Sequence, residues 1–596
     1  MIPALLEIGA LHAEYRAGTL TPRLLIEELL GRIEAYLDKA VFISPVDREK
    51  ILAETEALDM AALDRLALFG IPFVVKDNID VAGMPTTAAC PDFADVAGVA
   101  ARDAVVVARL RAAGAILLGK TNLDQFATGL NGTRSPYGAP RCVFNSEYIS
   151  GGSSSGSAVA VGAGLAVFAL GTDTAGSGRV PAAFNNLIGL KPSLGRIPAT
   201  GVVPASKTLD CVSIFANGAA DALRVLRIAE GADAGDAWSR TGVEKILPEV
   251  PRIGVLAAED RDFVGDAESA ALYEAAVAKA EALGWQVRYF DYGLFREIAA
   301  ALYGGAFVAE RLAAIRPFFE ASPDSLDPTV RGIIEGAQKY SAADAFAELY
   351  RVRSLCRAAQ PALAEFDALL LPTAPTIFTV AEMRAEPVTA NAKLGLYTNF
   401  VNFMDLAAIA LPAGFRPDGL PFGVSLIGAA FSESALAAYA DALHMALGAG
   451  AGAGRVEPQA RVVAPAAAEK KIVVAGAHLS GMVLNHELTS LGARLVAPAK
   501  TAPGYKLFSL ATSPPKPGLV RAPGFEGQGI DVEIWALSPE AFGHFVAALP
   551  EPMGIGKVTL ADGSTHPGFL CEAYALVGAE DITGYGGWRA YRAAIS

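Results

Sequence analysis

Short apolar runs alternate with helical patterns through the first part of the chain. Residues 71–76, 104–119 and 156–171 show apolar runs of strand length beside runs with helical spacing. Strands buried on both faces read as continuous apolar runs, and the intervening helices cover such a sheet. The pattern predicts an α/β fold with a buried central sheet.

Further elements are predicted on either side of this region. Residues 3–37 are predicted to be helical, with Thr21 as the N-cap and Pro22 as the first residue of the second helix. Residues 115–120 predict another strand, and residues 367–375 predict a later core strand that ends in a turn. These strands extend the predicted sheet.

A domain boundary is predicted where glycine and alanine alternate, at residues 448–454. With the Pro/Ala stretch that follows, this segment has little capacity for packing and is typical of a linker. A strand leading into a glycine-containing loop begins afterwards at Lys470. We therefore predict a large domain over residues 1–447, a linker over 448–469 and a small α+β domain over 470–596.

Composition narrows the class of protein. Of 596 residues, 52% are hydrophobic and 19% charged, which indicates a packed core and excludes a disordered chain. A net charge of -14 argues against general binding of nucleic acid or anionic membranes. The five cysteines are widely spaced without a Cys-x-x-Cys motif, which favours a reducing compartment and no zinc site. The N-terminus shows no signal-peptide pattern. We expect a cytoplasmic protein that acts on a small molecule.

Two Ser/Gly segments and one lysine are the candidate chemistry. Lys76 ends an apolar run, and the segments 151–157 and 171–179 supply hydroxyls and backbone N–H groups. Only His12 and His444 lie in the first three quarters of the chain, and neither accompanies these segments. This favours acyl transfer by a serine whose base is a desolvated lysine over a Ser-His-Asp triad.

The loop over residues 173–179 is the predicted nucleophile site. Ser177 lies among small residues whose backbone N–H groups can converge as an oxyanion hole. Asp173 and Arg179 flank the loop and are expected to pair across it. Ser153 is the predicted proton relay between Lys76 and the nucleophile. The predicted oxyanion donors are Thr174, Ala175 and Gly176.

Each motif taken alone also has an ordinary explanation. A Gly/Ser-rich loop is commonly flexible or binds phosphate, and a lysine after a strand commonly lies on the surface. A P-loop is disfavoured, because Gly119-Lys120-Thr121 lacks the glycine five residues before it.

Together, the lysine and the two Ser/Gly segments resemble the signature of the amidase signature family, over about residues 1–445. The resemblance implies a mixed central sheet covered by helices and no metal or cofactor. It also implies that Ser177 is the nucleophile, that Ser153 is a relay held by a cis peptide bond, and that Lys76 is the base.

The chain departs from the general family pattern at Ser155, Ala175 and Gly178. Of these, Ala175 puts a methyl group beside the proposed oxyanion donors. Together with residues 129–137, these departures resemble the allophanate hydrolase branch of the family.

That branch implies a small planar anionic substrate. Its substrate carboxylate is held by a tyrosine and an arginine eight residues apart, which correspond to Tyr303 and Arg311 on a predicted helix. Gly129 and Ser154 are assigned to substrate binding as well. The alternative for Arg311 is a solvated residue paired with a nearby carboxylate, Glu310 or Asp324.

The last segment, residues 470–596, resembles the γ-glutamyl cyclotransferase-like domain that follows the amidase in this branch. The resemblance implies loss of carbon dioxide from N-carboxycarbamate, and His478 and His486 are the candidate proton donors. The alternative is an inert oligomerisation domain with surface histidines.

The resemblance as a whole implies release of ammonia from allophanate, a homodimer, and an association with urea- or biuret-processing enzymes. Which of these pathways lies upstream stays open. Three alternatives also remain: an amidase for another small amide such as malonamate, a subunit of an amidotransferase, and a non-catalytic anion-binding protein.

Overall fold

The computed structural model divides the chain into two compact units, Met1–Ala464 and Pro465–Ser596. It describes residues 2–45, 47–462, 469–512 and 516–595. Each unit has its own apolar core.

The first unit is built on a mixed sheet of eleven strands, in the order β1-β3-β2-β6-β8-β7-β12-β13-β11-β9-β10, with a separate β4–β5 hairpin. The strands are β1 (Phe42–Pro45), β2 (Pro72–Lys76), β3 (Ile116–Thr121), β4 (Arg141–Cys142), β5 (Asn145–Ile149), β6 (Phe168–Asp173), β7 (Ile188–Lys191), β8 (Cys211–Ala216), β9 (Arg252–Leu256), β10 (Gln286–Phe290), β11 (Ala368–Pro372), β12 (Leu406–Phe415) and β13 (Pro421–Ala429).

Helices and short loops surround this sheet. The α-helices are α1 (Ile8–Arg16), α2 (Pro22–Ala35), α3 (Arg48–Glu56), α4 (Pro91–Ala97), α5 (Val105–Ala112), α6 (Ser155–Gly162), α7 (Val180–Phe184), α8 (Ala219–Ala229), α9 (Ala267–Ala282), α10 (Gly293–Gly304), α11 (Val308–Ala321), α12 (Pro328–Glu335), α13 (Ala342–Ala364), α14 (Val380–Ala385), α15 (Thr389–Leu394), α16 (Phe400–Phe403) and α17 (Glu433–Leu447).

The predicted α/β fold is confirmed, and so are the elements predicted from apolar runs. Strands β2, β3 and β11 fall on the predicted runs, and all their residues are buried. The N-terminal helices are α1 and α2, and Thr21 Oγ1 accepts the N–H of Leu24 as the predicted N-cap.

The register of two parallel strands determines which residues lie side by side at the candidate site. Strand β2 pairs in parallel with β6, and Val75 lies opposite Leu170. Because parallel strands end at the same edge of a sheet, Lys76 lies beside Thr172 and the loop that follows β6.

One stretch, Gly293–Ala321, is long and apolar enough to cross a membrane when judged by length and composition among the described residues. It consists of α10 and α11, and its side chains Phe295, Ile298 and Leu302 lie in the interior of the first unit. Burial in a folded core accounts for such an apolar helix.

The second unit is a small α+β domain, as predicted. Its sheets have the strand orders β15-β18-β14-β20-β19 and β17-β16-β21. The elements are β14 (Lys470–Val474), α18 (Asn485–Thr489), β15 (Arg494–Lys500), β16 (Tyr505–Ser509), β17 (Pro517–Arg521), β18 (Asp531–Leu537), α19 (Pro539–Ala547), β19 (Met553–Thr559), β20 (Thr565–Cys571), β21 (Glu580–Asp581) and α20 (Trp588–Ile595).

The prediction of a linker over residues 448–469 is wrong for the part that the structure describes, residues 448–462. The Asn186 side chain donates to backbone carbonyls there at 3.2–3.4 Å, and Ala451 is fully buried. Further along, the Glu7 carboxylate accepts the N–H of Gln459. Small residues let the backbone pack closely against the large unit, so the low packing capacity expected of glycine and alanine does not apply. Residues 463–468 lie outside the described part.

Candidate active site

Lys76 lies at the end of β2 with its side chain fully buried. Its Nζ donates to Ser153 Oγ and to Thr172 Oγ1, both at 2.7 Å. Burial lowers the pKa of the Lys76 amine to about 7, although the carboxylates of Asp124, Asp210 and Asp173 oppose the shift. A large neutral fraction of the amine is therefore present at neutral pH, which a proton acceptor requires.

Ser153 follows a cis peptide bond with Gly152 and is fully buried. The two preceding glycines are in close contact with other segments. A Cβ on Gly151 would lie 2.8 Å from the backbone of Pro181, and one on Gly152 would lie 2.2 Å from Asp124 Oδ2. The glycines of this motif are therefore required by close packing, and they hold the Ser153 hydroxyl against the lysine.

Ser177 lies in the loop between β6 and α7 and is 2% exposed. Its Oγ lies 3.4 Å from the Gly129 carbonyl, a long contact at the limit of a hydrogen bond. No hydrogen bond among the described residues joins Ser177 to Ser153. The structure thus joins Lys76 to Ser153 directly and leaves Ser177 facing the loop that contains Gly129.

The loop before Ser177 has the form of a donor nest. The backbone N–H groups of residues 174–177 make no hydrogen bond within the described part of the chain. Gly176 has a φ of +145°, and a Cβ on it would lie 2.5 Å from the buried hydroxyl of Thr398. Unpaired N–H groups next to a nucleophile can stabilise a developing oxyanion.

An ion pair fixes the shape of this loop, as predicted. The Arg179 guanidinium donates to both carboxylate oxygens of Asp173 at 3.0 Å, and both side chains are fully buried. Asn402 donates to the Asp173 carbonyl at 2.9 Å and accepts from Arg179 at 3.2 Å. A bidentate pair of this kind constrains orientation as well as distance.

Two departures from the family pattern have a packing explanation. Ala175 is 2% exposed and belongs to an apolar cluster that includes Val180 and Ala183, so its methyl group is accommodated by packing. A Cβ on Gly178 would lie 2.5 Å from Ser213 Cβ. The side chain of Ser213 therefore occupies the volume that a larger residue at position 178 would need.

Tyr303 and Arg311 meet beside this loop, although the prediction that both lie on one helix is wrong. Tyr303 lies near the end of α10 and Arg311 in α11, and the extended backbone of Gly305 separates the two helices. Arg311 Nη2 nevertheless donates to Tyr303 Oη at 3.2 Å. Its Nη1 donates to Thr128 Oγ1 at 3.0 Å.

The alternative role for Arg311, a solvated residue paired with a nearby carboxylate, is excluded. Arg311 is 3% exposed. The Glu310 carboxylate accepts from the backbone and hydroxyl of Thr208, and Asp324 pairs with Arg331. The guanidinium is thus a buried cation that neither of these carboxylates neutralises.

Tyr303 borders a cavity of about 210 Å³, which Arg134 and Asn391 also line. Another cavity in this unit, of about 880 Å³, touches Asp210 and Asn402. Lys76, Ser153, Ser177 and Arg311 line neither of these two cavities.

In the second unit, the two candidate histidines have different surroundings. His478 lines a cavity of about 900 Å³ with Lys516, and its Nε2 lies 2.8 Å from Glu487 Oε2. The His478 ring stacks on Phe569, with centroids 5.1 Å apart. His486 is held by its own turn, where Nδ1 lies 3.0 Å from the Val483 carbonyl. Burial lowers the pKa of His478, and Glu487 raises it.

Known proteins share both units of this chain. Residues 24–437 match the amidase family, and residues 470–593 match the allophanate hydrolase C-terminal domain. This chain belongs to the amidase family. Its C-terminal unit is an allophanate hydrolase C-terminal domain.

Relatives of this chain include proteins of similar length and much longer ones. The solved structure of Kluyveromyces lactis allophanate hydrolase superposes with a TM-score of 0.75 at 40% identity, covering 98% of this chain and 99% of that one. The urea amidolyase of Saccharomyces cerevisiae is 44% identical over 95% of this chain, which spans 32% of that protein's length. A glutamyl-tRNA(Gln) amidotransferase subunit of Lacticaseibacillus paracasei is 32% identical over 72% of this chain and 94% of its own length.

The two remaining predicted substrate contacts of the amidase domain differ in placement. The Gly129 carbonyl faces Ser177, as described above. Ser154 Oγ instead donates to the carbonyl of Thr172 at 3.1 Å and accepts its N–H at 3.3 Å. Because the Ser154 hydroxyl is hydrogen-bonded to the backbone of strand β6, it stabilises the edge of the sheet in this structure.

Sequence reasoning missed several polar residues of the amidase domain. Thr172 is bonded to Lys76 and lies inside a motif already recognised, so its position directly before Asp173 could have indicated it. Asp210 accepts from Thr174 Oγ1 at 2.5 Å, and burial raises its pKa to about 6. Asp210 and Thr398 carry no local motif, because only the packed fold brings them to the loop.

Proposed function

We propose that this chain hydrolyses allophanate to ammonia and N-carboxycarbamate. The observation that carries the proposal is the contact between the buried Arg311 guanidinium and the half-buried Tyr303 beside the nucleophile loop. Arg311 bonds Thr128, and the carbonyl of the next residue, Gly129, faces Ser177. A buried guanidinium with a phenol beside it is suited to the carboxylate of a small anion.

The proposed chemistry is acyl transfer. Ser177 Oγ attacks the primary amide carbon while its proton passes through Ser153 to the neutral Lys76 amine. The N–H groups of residues 174–177 stabilise the oxyanion, and the lysine-derived proton returns to the departing nitrogen, which leaves as ammonia. Water then hydrolyses the acyl-enzyme. No step requires a metal or cofactor.

A further observation supports a small anionic substrate. The chain also matches Kluyveromyces lactis allophanate hydrolase over 99% of that chain.

The test is ammonia release from allophanate beside malonamate, biuret and glutamine. We expect turnover of allophanate to exceed that of the other three by a wide margin. Equal or faster turnover of malonamate would replace the proposal with a general small-amide amidase.

A role within an amidotransferase is the second candidate, supported by the 32% identity to the glutamyl-tRNA(Gln) amidotransferase relative. The C-terminal match over residues 470–593 favours allophanate instead. Glutamine-dependent ammonia release without allophanate hydrolysis would support the amidotransferase.

We propose that the C-terminal unit removes carbon dioxide from N-carboxycarbamate, with His478 as the proton donor. His478 faces the large cavity of this unit, and Glu487 holds its imidazole. Carbon dioxide release should slow in His478→Ala and stay unchanged in His486→Ala, which serves as the matched control. Because burial lowers the pKa of His478 from its usual value, the protonated form is gained only on the acidic side of that value, so assistance should increase as the pH falls through and below the usual range of histidine.

We further propose a cytoplasmic homodimer that receives allophanate from a urea- or biuret-processing enzyme. The similarity to urea amidolyase supports the urea route. Light scattering of the purified chain tests the dimer. Growth of a deletion strain on urea or biuret as nitrogen source tests the pathway.

A further inference from the structure

Asp124 lies just after β3, and its carboxylate is fully buried. It accepts hydrogen bonds from the backbone of a neighbouring loop. Its Oδ2 accepts the backbone N–H groups of Asn131 at 3.1 Å and Gly132 at 3.0 Å. Its Oδ1 accepts the N–H of Arg134 at 3.0 Å. Residues 129–134, which we call the substrate loop, are thus folded around one side chain.

The same residue contacts the cis-serine segment, residues 151–153. The Asp124 N–H donates to the Ser153 carbonyl at 3.1 Å. A Cβ on Gly152 would lie 2.2 Å from Asp124 Oδ2, and one on Gly129 would lie 2.6 Å from it. Asp124 is therefore packed between the glycine that precedes the relay serine and the glycine whose carbonyl faces Ser177.

The protonation state of this group follows from its partners. Every hydrogen bond that its carboxylate makes among the described residues comes from an N–H donor, so the ionised form is the one that these contacts stabilise. Burial raises the pKa of Asp124 above its usual range, and the Arg134 guanidinium and the three N–H groups oppose this shift without reversing it.

This negative charge acts on the base. Burial is the main influence on the pKa of Lys76, and Asp124 comes first among the carboxylates that oppose it, ahead of Asp210 and Asp173. The Arg311 guanidinium acts in the opposite direction.

We infer that Asp124 is a positioning residue for the amide hydrolysis, which joins the substrate loop to the cis-serine segment and holds a compensating charge near the Lys76 amine. The inference deepens the proposed function and rests on it for the identity of the substrate. Asp124 does not touch the reacting atoms and acts through Ser153, Gly129 and Lys76.

The test is Asp124→Asn, which is close to isosteric but uncharged. The asparagine amide brings an NH₂ group against backbone N–H groups that are themselves donors. At least one of the hydrogen bonds that hold the substrate loop should therefore be lost. We expect kcat/KM for allophanate to fall about 100-fold, the scale of a small misplacement of reacting groups. Loss of the negative charge favours the neutral amine, so the acidic limb of the kcat/KM profile should move to lower pH by about one unit.

Asp221→Asn is the matched control, because Asp221 is also a buried carboxylate and accepts the N–H of Ile8 at 2.9 Å away from the site. It should cost stability and leave the acidic limb in place. If Asp124→Asn does not fold, Asp124→Ser removes the same charge with a smaller side chain.

A second readout does not depend on allophanate. Methanesulfonyl fluoride sulfonylates an activated serine hydroxyl with loss of fluoride, so the pH dependence of inactivation reports the same base. The acidic limb of inactivation should shift in Asp124→Asn even if allophanate proves not to be the substrate. An acidic limb at the wild-type pH in Asp124→Asn or Asp124→Ser overturns the inference, whatever the loss of rate.

Discussion

Among the single residues, the partners of a buried side chain decide whether it takes part in the chemistry. Lys76 and Lys120 are both buried, but their partners differ. Lys120 pairs with Asp77 at 2.9 Å and bonds the Pro85 carbonyl, so it is neutralised as a structural cation. Among the described residues, Lys76 bonds two hydroxyls and no carboxylate, which leaves its amine available as a base.

The pH dependence of the wild-type enzyme follows from Lys76. The amine works only when neutral, and its neutral fraction grows as pH rises through its pKa of about 7. We expect kcat/KM for ammonia release to fall tenfold per pH unit well below pH 7 and to level off above it. A flat profile between pH 5 and 7 would exclude Lys76 as the base.

Replacing the nucleophile separates chemistry from folding. Ser177→Ala should lower kcat by at least about 10⁴-fold, the scale seen when a serine nucleophile is removed, with no loss of thermal stability. Stopped assays for ammonia and a melting curve measure the two effects. Turnover close to wild type would show that another hydroxyl attacks.

Arg311→Lys keeps the positive charge but loses the planar donor geometry. We expect KM for allophanate to rise by one to two orders of magnitude, because a single ammonium group cannot replace both contacts of a guanidinium. Arg316→Lys is the control on the same helix, since Arg316 is exposed and pairs with Glu320. An unchanged KM in Arg311→Lys would exclude Arg311 as the carboxylate anchor.

At the scale of elements, the site depends on where strands and helices end. Parallel β2 and β6 deliver Lys76 and Thr172 to one edge of the sheet, and the nucleophile loop follows β6 directly. The helix is interrupted at Gly305, so Arg311 lies beside the same loop on a separate helix, α11.

The nucleophile loop itself gives a prediction. Gly176→Ala places a methyl group 2.5 Å from Thr398 Oγ1 at a φ of +145°. We expect a loss of about 1–3 kcal/mol in the free energy of unfolding and a fall in kcat of about 100-fold, because the oxyanion donors shift.

Gly31→Ala is the control for that variant. Gly31 lies inside α2, with open space where its Cβ would go. The change should be neutral or stabilise by about 0.5–1 kcal/mol and leave kcat unaltered. Urea unfolding and steady-state kinetics measure both variants. Equal kcat in the two variants would contradict the assignment of the loop.

At the scale of the whole molecule, each unit has its own core, so separate expression is feasible. A cut near Gly452 would disrupt the first unit, because this segment bonds Asn186 and Gly162. The cut belongs between Val462 and Glu469. The first piece alone should release ammonia from allophanate at the rate of the intact chain.

The second piece should then accelerate carbon dioxide release when it is added in trans. Membrane-inlet mass spectrometry measures the gas, and the His478→Ala version of the second piece is the control. Equal rates with and without the second piece would show that this unit is structural.

The fold class, the Lys76–Ser153–Ser177 candidates and the place where a second domain begins could all be predicted from the amino-acid sequence. These depend on local information: apolar runs of strand length, small residues at fixed spacing, and the start of a new strand at Lys470. Such patterns are readable because backbone conformation and burial constrain each residue type separately.

The contacts between distant segments could not be predicted in this way, because they form only in the packed fold. In the structure, Asp124 contacts two loops, and the Thr398 hydroxyl lies against Gly176. His478 lines the large cavity of the second unit, whereas His486 does not line that cavity. The Gly/Ala segment packs against the large unit, and a helix ends between Tyr303 and Arg311. These contacts depend on which surfaces meet when the chain folds. Side-chain volumes and hydrogen-bonding groups from distant segments become complementary only where those surfaces meet.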